Sequence, residues 1–556
     1  MPRLSNTIVI PTIGRNSLDV LLRRLREVSG PRPADILVID DSVTRSGPAA
    51  ARNRGWRQSR TPWVSFPDDD VVPEPDWVER LTTDLAGGAM GAVPGAARPA
   101  RRPARAVPGQ PGHDVHDPRA PVPCPRCSRT KSSVPSQPLP PHARRTSRPR
   151  EGDLMKIAMV SEHASPLAVI GGVDAGGQNV HVAALATKLA ARGHDVTVFT
   201  RRDDPDSPPQ VTTPDGYVVE HVPAGPPTEV PKDELLPHMA AFSAYLTDRW
   251  ADEHYDIAHA HFWMSGLTAV QAGRATRTPV VQTFHALGTV KRRHQGSKDT
   301  SPSERIGIEH TLCAEVDHII ATCTAEVAEL ALMGLGAGRT TIIPCGVDLE
   351  LFVPTPPRPG PRAGRLLTVG RLVERKGLAD IVDALSELPG VELHVAGGPA
   401  PDALAADPEA QRIRARAAAN GTADRLHLLG RVARTDMPAL FGAADIVVTA
   451  PWYEPFGIVP LEAMACARPV VGTVVGGLLD TVVPGITGEL VPPHRPDRLA
   501  QVLREMLASP RRLDAYGSDG LQRARRLYGW ERIARDTERV YARVAARTGR
   551  ISSKVP

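Results

Sequence analysis

The stretch APWYEPFGIVPLEAMACA, residues 450–467, decides how this chain is read. The apolar run DIVVTA at 445–450 leads into it like a buried parallel strand, and residues 459–466 lead out with the spacing of a helix. Pro455 and Gly457 punctuate a loop between the two, at the carboxyl end of the strand, where open α/β sheets bind ligands. Glu454 stands in that loop, and Glu462 follows more than one helical turn later. The backbone N–H groups of Gly457, Ile458 and Val459 are predicted to face outward at the helix start, where they suit a phosphate. Carboxylates on either side accept hydrogen bonds from hydroxyls, so the ligand class predicted is a sugar nucleotide.

Two glutamates at this spacing would alone be ordinary helix-end residues; the rest of the chain gives them weight. In VGRLVERKG, residues 369–377, Arg371 and Lys376 follow a second apolar strand expected at 365–369. Two cations after one strand and two carboxylates after another, on one sheet edge, enclose a diphosphate ester. Further strands are expected at 391–396, 426–429, 446–449 and 470–475, alternating with helices, which makes residues 354–530 a doubly wound unit.

Together these motifs resemble the C-terminal half of the retaining, GT-B-fold glycosyltransferases of family 4, and the resemblance covers roughly residues 155–545. It implies that Arg371 and Lys376 stabilise the leaving diphosphate, that Glu454 holds the sugar hydroxyls and that Glu462 holds the ribose. It also implies donor contacts at Phe456, Gly457, Ile458 and Val459. Gly398 and Arg431, which end two of the strands, fall where that family places the nucleotide base and ribose.

Residues 154–353 read as a second doubly wound unit on the acceptor side. The strand at 156–160 is followed by the glycine loop GGVDAGGQN, residues 171–179, a helix at 180–192 and a strand at 195–199. The loop lacks dinucleotide spacing, which argues against a nicotinamide enzyme. In the family resembled, the Gly176–Gly177 loop lies against the donor diphosphate, Asn179 touches the acceptor, and His285, ending the strand at 279–285, sits beside the reacting sugar. DAGG (174–177), HFWMSG (261–266) and TFH (283–285) are similar to motifs of the D-inositol-3-phosphate glycosyltransferases within that family. Lys232 and Arg305 match cations that hold the acceptor phosphate there. Phe262 and Ala286 replace a Tyr and a Thr of that group, and each loses a hydroxyl worth about 1 kcal/mol in a closed site. A different acceptor is one implication.

Residues 1–95 carry strands expected at 7–13, 35–41 and 63–66 and helices at 17–28 and 49–56. The order is similar to the nucleotide-binding half of a GT-A, family 2 glycosyltransferase. It implies a nucleoside contact at Asp41 and an Mg or Mn site at Asp68 and Asp70. The resemblance stops near residue 85, short of an acceptor site, so the segment is read as a truncated and inactive remnant. Residues 96–153 follow as a linker expected to be disordered, with thirteen prolines between 99 and 149 and little apolar periodicity. Its composition resembles GC-rich DNA read out of frame, and Met155 is read as a natural start, so a gene fusion is the expectation.

The formal net charge of +5 misleads, because residues 98–150 hold eleven Arg and one Lys against two Asp. The remainder is net negative, which excludes nucleic acid as an expected partner. Among six scattered cysteines only Cys124 and Cys127 are close, half a zinc site at most, and reduced thiols are expected. No secretory signal or long apolar run is found, so a cytoplasmic protein is expected, with a basic tether to anionic lipid as an alternative role for the linker.

The fold expected is α/β: two Rossmann-like domains of GT-B architecture facing a cleft, preceded by the GT-A-like fragment and the linker. Residues 531–556 form a helix crossing back to the first GT-B domain, then a frayed tail. The function expected is retaining transfer of a sugar from a nucleotide-sugar co-substrate, UDP-linked by preference, to a small hydroxylated or phosphorylated acceptor. No cofactor is required in the GT-B part. Three rivals stay open: a sugar phosphorylase, a catalytically inactive nucleotide-sugar binder, and a bifunctional enzyme with an active metal-dependent GT-A domain.

Overall fold

The apolar runs of residues 154–547 do become strands, and they assemble into two separate parallel sheets. A computed structural model describes residues 4–12, 33–40, 63–65, 100–101, 154–168, 176–336, 338–355 and 364–547. The chain divides into two compact units, Met1–Leu139 and Pro140–Pro556.

In the first unit, β1 (Leu4–Thr12) pairs in parallel with β2 (Pro33–Asp40) and with β3 (Trp63–Ser65). Ile8, Ile10 and Ile39 are buried, as the alternation of a half-covered strand requires. A two-residue strand, β4 (Ala100–Arg101), joins antiparallel to β3. It lies inside the stretch expected to be linker, and it is the one described part of that stretch. The expected helices at 17–28 and 49–56, and Asp41, Asp68, Asp70, Cys124 and Cys127, lie outside the described residues.

The second unit holds both Rossmann-like domains. Its first sheet comprises β5 (Lys156–Val160), β6 (Asp195–Arg201), β7 (Gln210–Thr212), β8 (Val218–Val222), β9 (Ile257–His261), β10 (Val280–Thr283), β11 (His318–Ala321) and β12 (Thr340–Ile342). Their spatial order is β12-β11-β10-β9-β5-β6-β8-β7, parallel except for the β7–β8 edge. The second sheet comprises β13 (Arg365–Val369), β14 (Glu392–Ala396), β15 (Leu426–Gly430), β16 (Ile446–Thr449), β17 (Val470–Thr473) and β18 (Gly488–Val491). It is all parallel, in the order β15-β14-β13-β16-β17-β18.

The direction of winding reverses between β5 and β9 in the first sheet and between β13 and β16 in the second. A crevice opens at the carboxyl ends of the strands at such a reversal, because the two flanking loops leave in opposite directions. The loop after β13 carries Lys376 and the loop after β16 carries Glu454, so sheet order alone brings them to one place.

The helix Trp530–Arg547 begins beyond the second sheet and lies on the first domain. It buries Trp530, Ile533, Val540, Tyr541 and Val544 in the same core as Ile157, Leu185 and Val281. Arg192 fixes it from the side, donating to Glu531 at 2.8 Å and Glu538 at 2.6 Å. Among the described residues no helix is long and apolar enough to cross a membrane.

Candidate active site

Lys376 ends the short helical turn Glu374–Lys376, and the next residue, Gly377, has φ +67°. A Cβ at Gly377 would stand 1.8 Å from the Ala450 carbonyl oxygen, so only glycine lets the β13 and β16 loops touch. The Trp452 N–H then donates to the Arg375 carbonyl at 2.9 Å. The result is direct contact: Lys376 Nζ lies 2.5 Å from Glu454 Oε2. Burial acts to raise the Glu454 carboxyl, but Lys376 and Arg375 outweigh it and hold the group below its ordinary value. Glu454 is therefore a carboxylate at neutral pH, an acceptor for hydroxyls.

A third loop braces the pair from below. Gly476, at φ +45°, packs against the Glu454 carbonyl, and the Gly477 N–H donates to that carbonyl at 2.9 Å. The helix Ile458–Ala465 then starts at Gly457, whose left-handed conformation turns the chain and brings no side chain to the amides of the first turn. Glu462, 5% exposed, is buried in that helix and accepts from Arg434 Nη1 at 3.0 Å. Burial pushes its carboxyl up to about 7 against the pull of Arg434.

The first domain approaches this helix start with one of its own. The helix Gly177–Ala191 begins beside Ile458, whose Cδ1 is 3.2 Å from where a Gly177 Cβ would be. Phe456 and Ile458 pack against the core of the first domain. Further bonds cross between the domains: Cys323 Sγ to the Pro455 carbonyl at 3.3 Å, and the Thr324 N–H to Asp480 Oδ2 at 2.6 Å. Gln295 Nε2 donates to the Tyr453 hydroxyl at 2.5 Å, and Lys298 Nζ lies 2.5 Å from Glu374. Two helix N-termini thus meet beside the Lys376–Glu454 pair, where their partial positive charges add.

His285 takes φ +58°, strained for a non-glycine residue, at the end of β10. Its Nε2 lies 3.0 Å from His261 Nδ1, and its ring is 5.0 Å from that of His181, one turn into the Gly177–Ala191 helix. His259 joins the cluster, bonded to the Tyr541 hydroxyl at 2.6 Å and Thr283 Oγ1 at 2.9 Å. Burial lowers all four imidazoles, His181 to about 4, so they are neutral hydrogen-bonding groups at neutral pH.

The remaining expected residues are placed as follows. Asn179 accepts from the Gly176 N–H and donates to the Ser165 carbonyl, both at 2.9 Å, so much of its amide serves the loop itself. Arg305, 2% exposed, donates to Glu309 at 2.8 Å and to the Ala286 carbonyl at 2.7 Å, and lies 5.0 Å over the Phe262 ring. Lys232 is half-buried in the turn Lys232–Glu234. Arg371 is exposed in a turn closed by the Val373 N–H onto its carbonyl. Gly398 and Arg431 follow β14 and β15, where the Arg431 N–H donates to the Pro399 carbonyl at 2.8 Å. Residues 171–175 of the glycine loop lie outside the described residues.

Sequence reasoning passed over several groups. Glu162, 1% exposed, follows β5, bonded to Ser265 Oγ and to His163 Nδ1 at 2.7 Å. It stands at the reversal point of the first sheet as Glu454 does at that of the second, and an acid directly after a buried strand was the available signal. Arg375, 5.2 Å over the Tyr453 ring, and Arg434 were also missed.

The chain is similar to known glycosyltransferases along most of its described length. The model of the Glycosyltransferase Family 4 matches residues 175–351, that of Glycosyl transferases group 1 matches 360–523, and that of Glycosyl transferase family 2 matches 32–100. The chain is 37% identical over 424 residues to the D-inositol 3-phosphate glycosyltransferase of Kineococcus radiotolerans, covering 71% of this chain and 96% of that protein. It is 37% identical over 410 residues to D-inositol 3-phosphate glycosyltransferase 1 of Catenulispora acidiphila, covering 70% and 94%. Among solved structures it is similar to the sucrose-phosphate synthase of Thermosynechococcus elongatus (TM-score 0.66, 32% identity, 71% of this chain and 100% of that one). It shares its fold with Anabaena HepE in complex with UDP-glucose (TM-score 0.54, 20% identity, 70% and 100%).

Proposed function

This chain belongs to the GT-B glycosyltransferases of family 4, and on that premise we propose that it moves a sugar, with retention of configuration, from a nucleoside diphosphate donor to a small hydroxylated or phosphorylated acceptor. The observation that carries the reading is the Lys376–Glu454 contact at the reversal point of the second sheet, beside an uncapped helix start.

The bond that breaks joins the anomeric carbon to the β-phosphate oxygen, and negative charge builds on that oxygen. Lys376, Arg371 and the amides of Gly457, Ile458 and Val459 are assigned to that charge, since donors held by the fold stabilise a leaving group without reorganising. Glu454 orients the sugar through its hydroxyls, and Glu462 accepts from the ribose. No pair of carboxylates flanks the reacting carbon in this reading. The acceptor hydroxyl therefore attacks from the face the diphosphate leaves, forms the new C–O bond, and gives its proton to a departing phosphate oxygen. Neutral His285 bonds a sugar hydroxyl. The cations of the protein fill the role a metal holds in GT-A enzymes.

UDP is the favoured nucleotide, supported by the named ligand of the HepE structure, and inositol phosphate is the first acceptor to try, supported by the names of the two relatives. Lys232 and Arg305 are assigned to the acceptor, and Phe262 and Ala286 set its identity. A soluble protein of the cytoplasm, free or resting on the membrane through the basic residues 98–150, suits these substrates. Residues 1–95 are read as a remnant outside this chemistry.

The test is a donor panel scored by nucleotide release, with and without inositol phosphate and with inorganic phosphate alone. Acceptor-dependent release supports transfer. Release driven by inorganic phosphate makes the protein a phosphorylase, and donor affinity without release makes it a binder.

A further inference from the structure

The second sheet carries a group of side chains that the transfer reaction does not use. Glu392 and His394 sit two apart on β14, so the pleat puts them on the same face. His427 on β15 is the register partner of His394. One ligand atom from each of the three lies within 4.8 Å of the others. His394 Nε2 is 3.3 Å from Glu392 Oε2, and the two imidazole rings are 4.6 Å apart. All three are half-buried, so an ion can reach them from solvent.

We propose that Glu392, His394 and His427 form a divalent transition-metal site, suited to zinc, that staples β15 to β14. Two imidazoles and one carboxylate are a donor set zinc takes readily. Ligand atoms about 2.0–2.2 Å from a tetrahedral ion stand roughly 3.4 Å apart, the spacing His394 and Glu392 already have. Arg365 Nη2 lies 3.4 Å from the same Oε2 and holds the Glu392 carboxylate in place beside His394.

The site stands near the amino ends of the strands, and the donor loops leave from the carboxyl ends. His394 lies inside β14, whereas Gly397 and Gly398 come after the strand has ended at Ala396. The metal therefore takes no part in the transfer step. Its work is register: the β14–β15 ladder shifts between Val395 and Ala396, just before Gly397–Gly398 and Gly430–Arg431. An ion across the start of both strands fixes the edge strand from which those loops depart.

The test uses the full 556-residue chain after chelation, with Zn2+ for stoichiometry and Co2+ as spectroscopic probe. One equivalent bound through this site is expected to give Co2+ ligand-field bands without a thiolate charge-transfer band, which separates it from Cys124 and Cys127. Saturating Zn2+ is expected to raise Tm by about 5 °C. His394→Gln and His427→Gln are each expected to lose one equivalent and most of that rise, while far-UV circular dichroism and turnover in added donor stay as in the parent. Equal stoichiometry in parent and variants, a thiolate-only spectrum, or no binding up to millimolar metal would overturn the proposal.

Discussion

Glu454 and Glu462 are the same residue type eight positions apart, yet the fold drives their carboxyls in opposite directions. Lys376 and Arg375 hold Glu454 ionised, whereas burial brings Glu462 up to about 7 with Arg434 as its cationic partner. An unfolded glutamate titrates near about 4.3. Between that value and about 7 the folded protein holds a proton that the unfolded chain has released, so stability falls as pH rises through this window. Glu462→Gln is expected to flatten Tm against pH there, and a slope unchanged from the parent contradicts the assignment. With Glu462 assigned to the ribose as proposed, donor binding is expected to run the other way: a carboxylate can accept two hydroxyls where the acid accepts fewer, so parent KM for donor should fall as pH rises through about 7. The Lys376–Glu454 contact was legible because each residue stands in the loop that follows an apolar strand. Arg434 was not, since it sits in a loop turn with no periodic signal beside it. Of the histidine cluster only His285 was singled out in the sequence, since tertiary packing alone shows that His259 and His261 meet it.

At the scale of elements, the site is an agreement among three loops, and two glycines allow it. Gly377 lets the β13 loop reach Ala450, and Gly476 lets the β17 loop reach Glu454. Gly377→Ala forces a side chain into both a left-handed backbone and a carbonyl oxygen, and is expected to cost at least about 2 kcal/mol. Urea unfolding measures the cost, and a parallel loss of donor affinity shows that the loops have parted; a stability change below about 0.5 kcal/mol contradicts the packing argument. The buried parallel strands of both sheets were readable as apolar runs. The β7–β8 edge and β18 were not, because polar residues interrupt each run: Gln210 and Thr212 in β7, Glu220 and His221 in β8, Glu489 in β18. The pairing of Ala100–Arg101 with β3 was hidden for the same reason, a two-residue strand inside proline-rich sequence.

At the scale of the molecule, two sheets each reverse their winding and each places an acid at the reversal, Glu162 in one and Glu454 in the other. The unit Pro140–Pro556 contains both, together with the helix Trp530–Arg547 that ties the second domain to the first. Residues 155–556 alone are accordingly expected to keep the transferase turnover of the full chain, with no effect of a chelator on rate. Loss of turnover on truncation, or a second activity of the full chain that a chelator abolishes, gives residues 1–153 a working role. Domain order was legible in the sequence because each unit repeats strand, loop and helix; the bonds between the domains were not, since Thr324–Asp480 and Gln295–Tyr453 join residues about 150 positions apart. The claim on which the account rests is that fixed cations grip the departing diphosphate, and the turnover of Lys376→Ala, in a variant shown to fold by its melting curve, tests it most directly. The account predicts a fall in kcat of about 100-fold or more, roughly 3 kcal/mol of transition-state stabilisation; turnover close to that of the parent would contradict it.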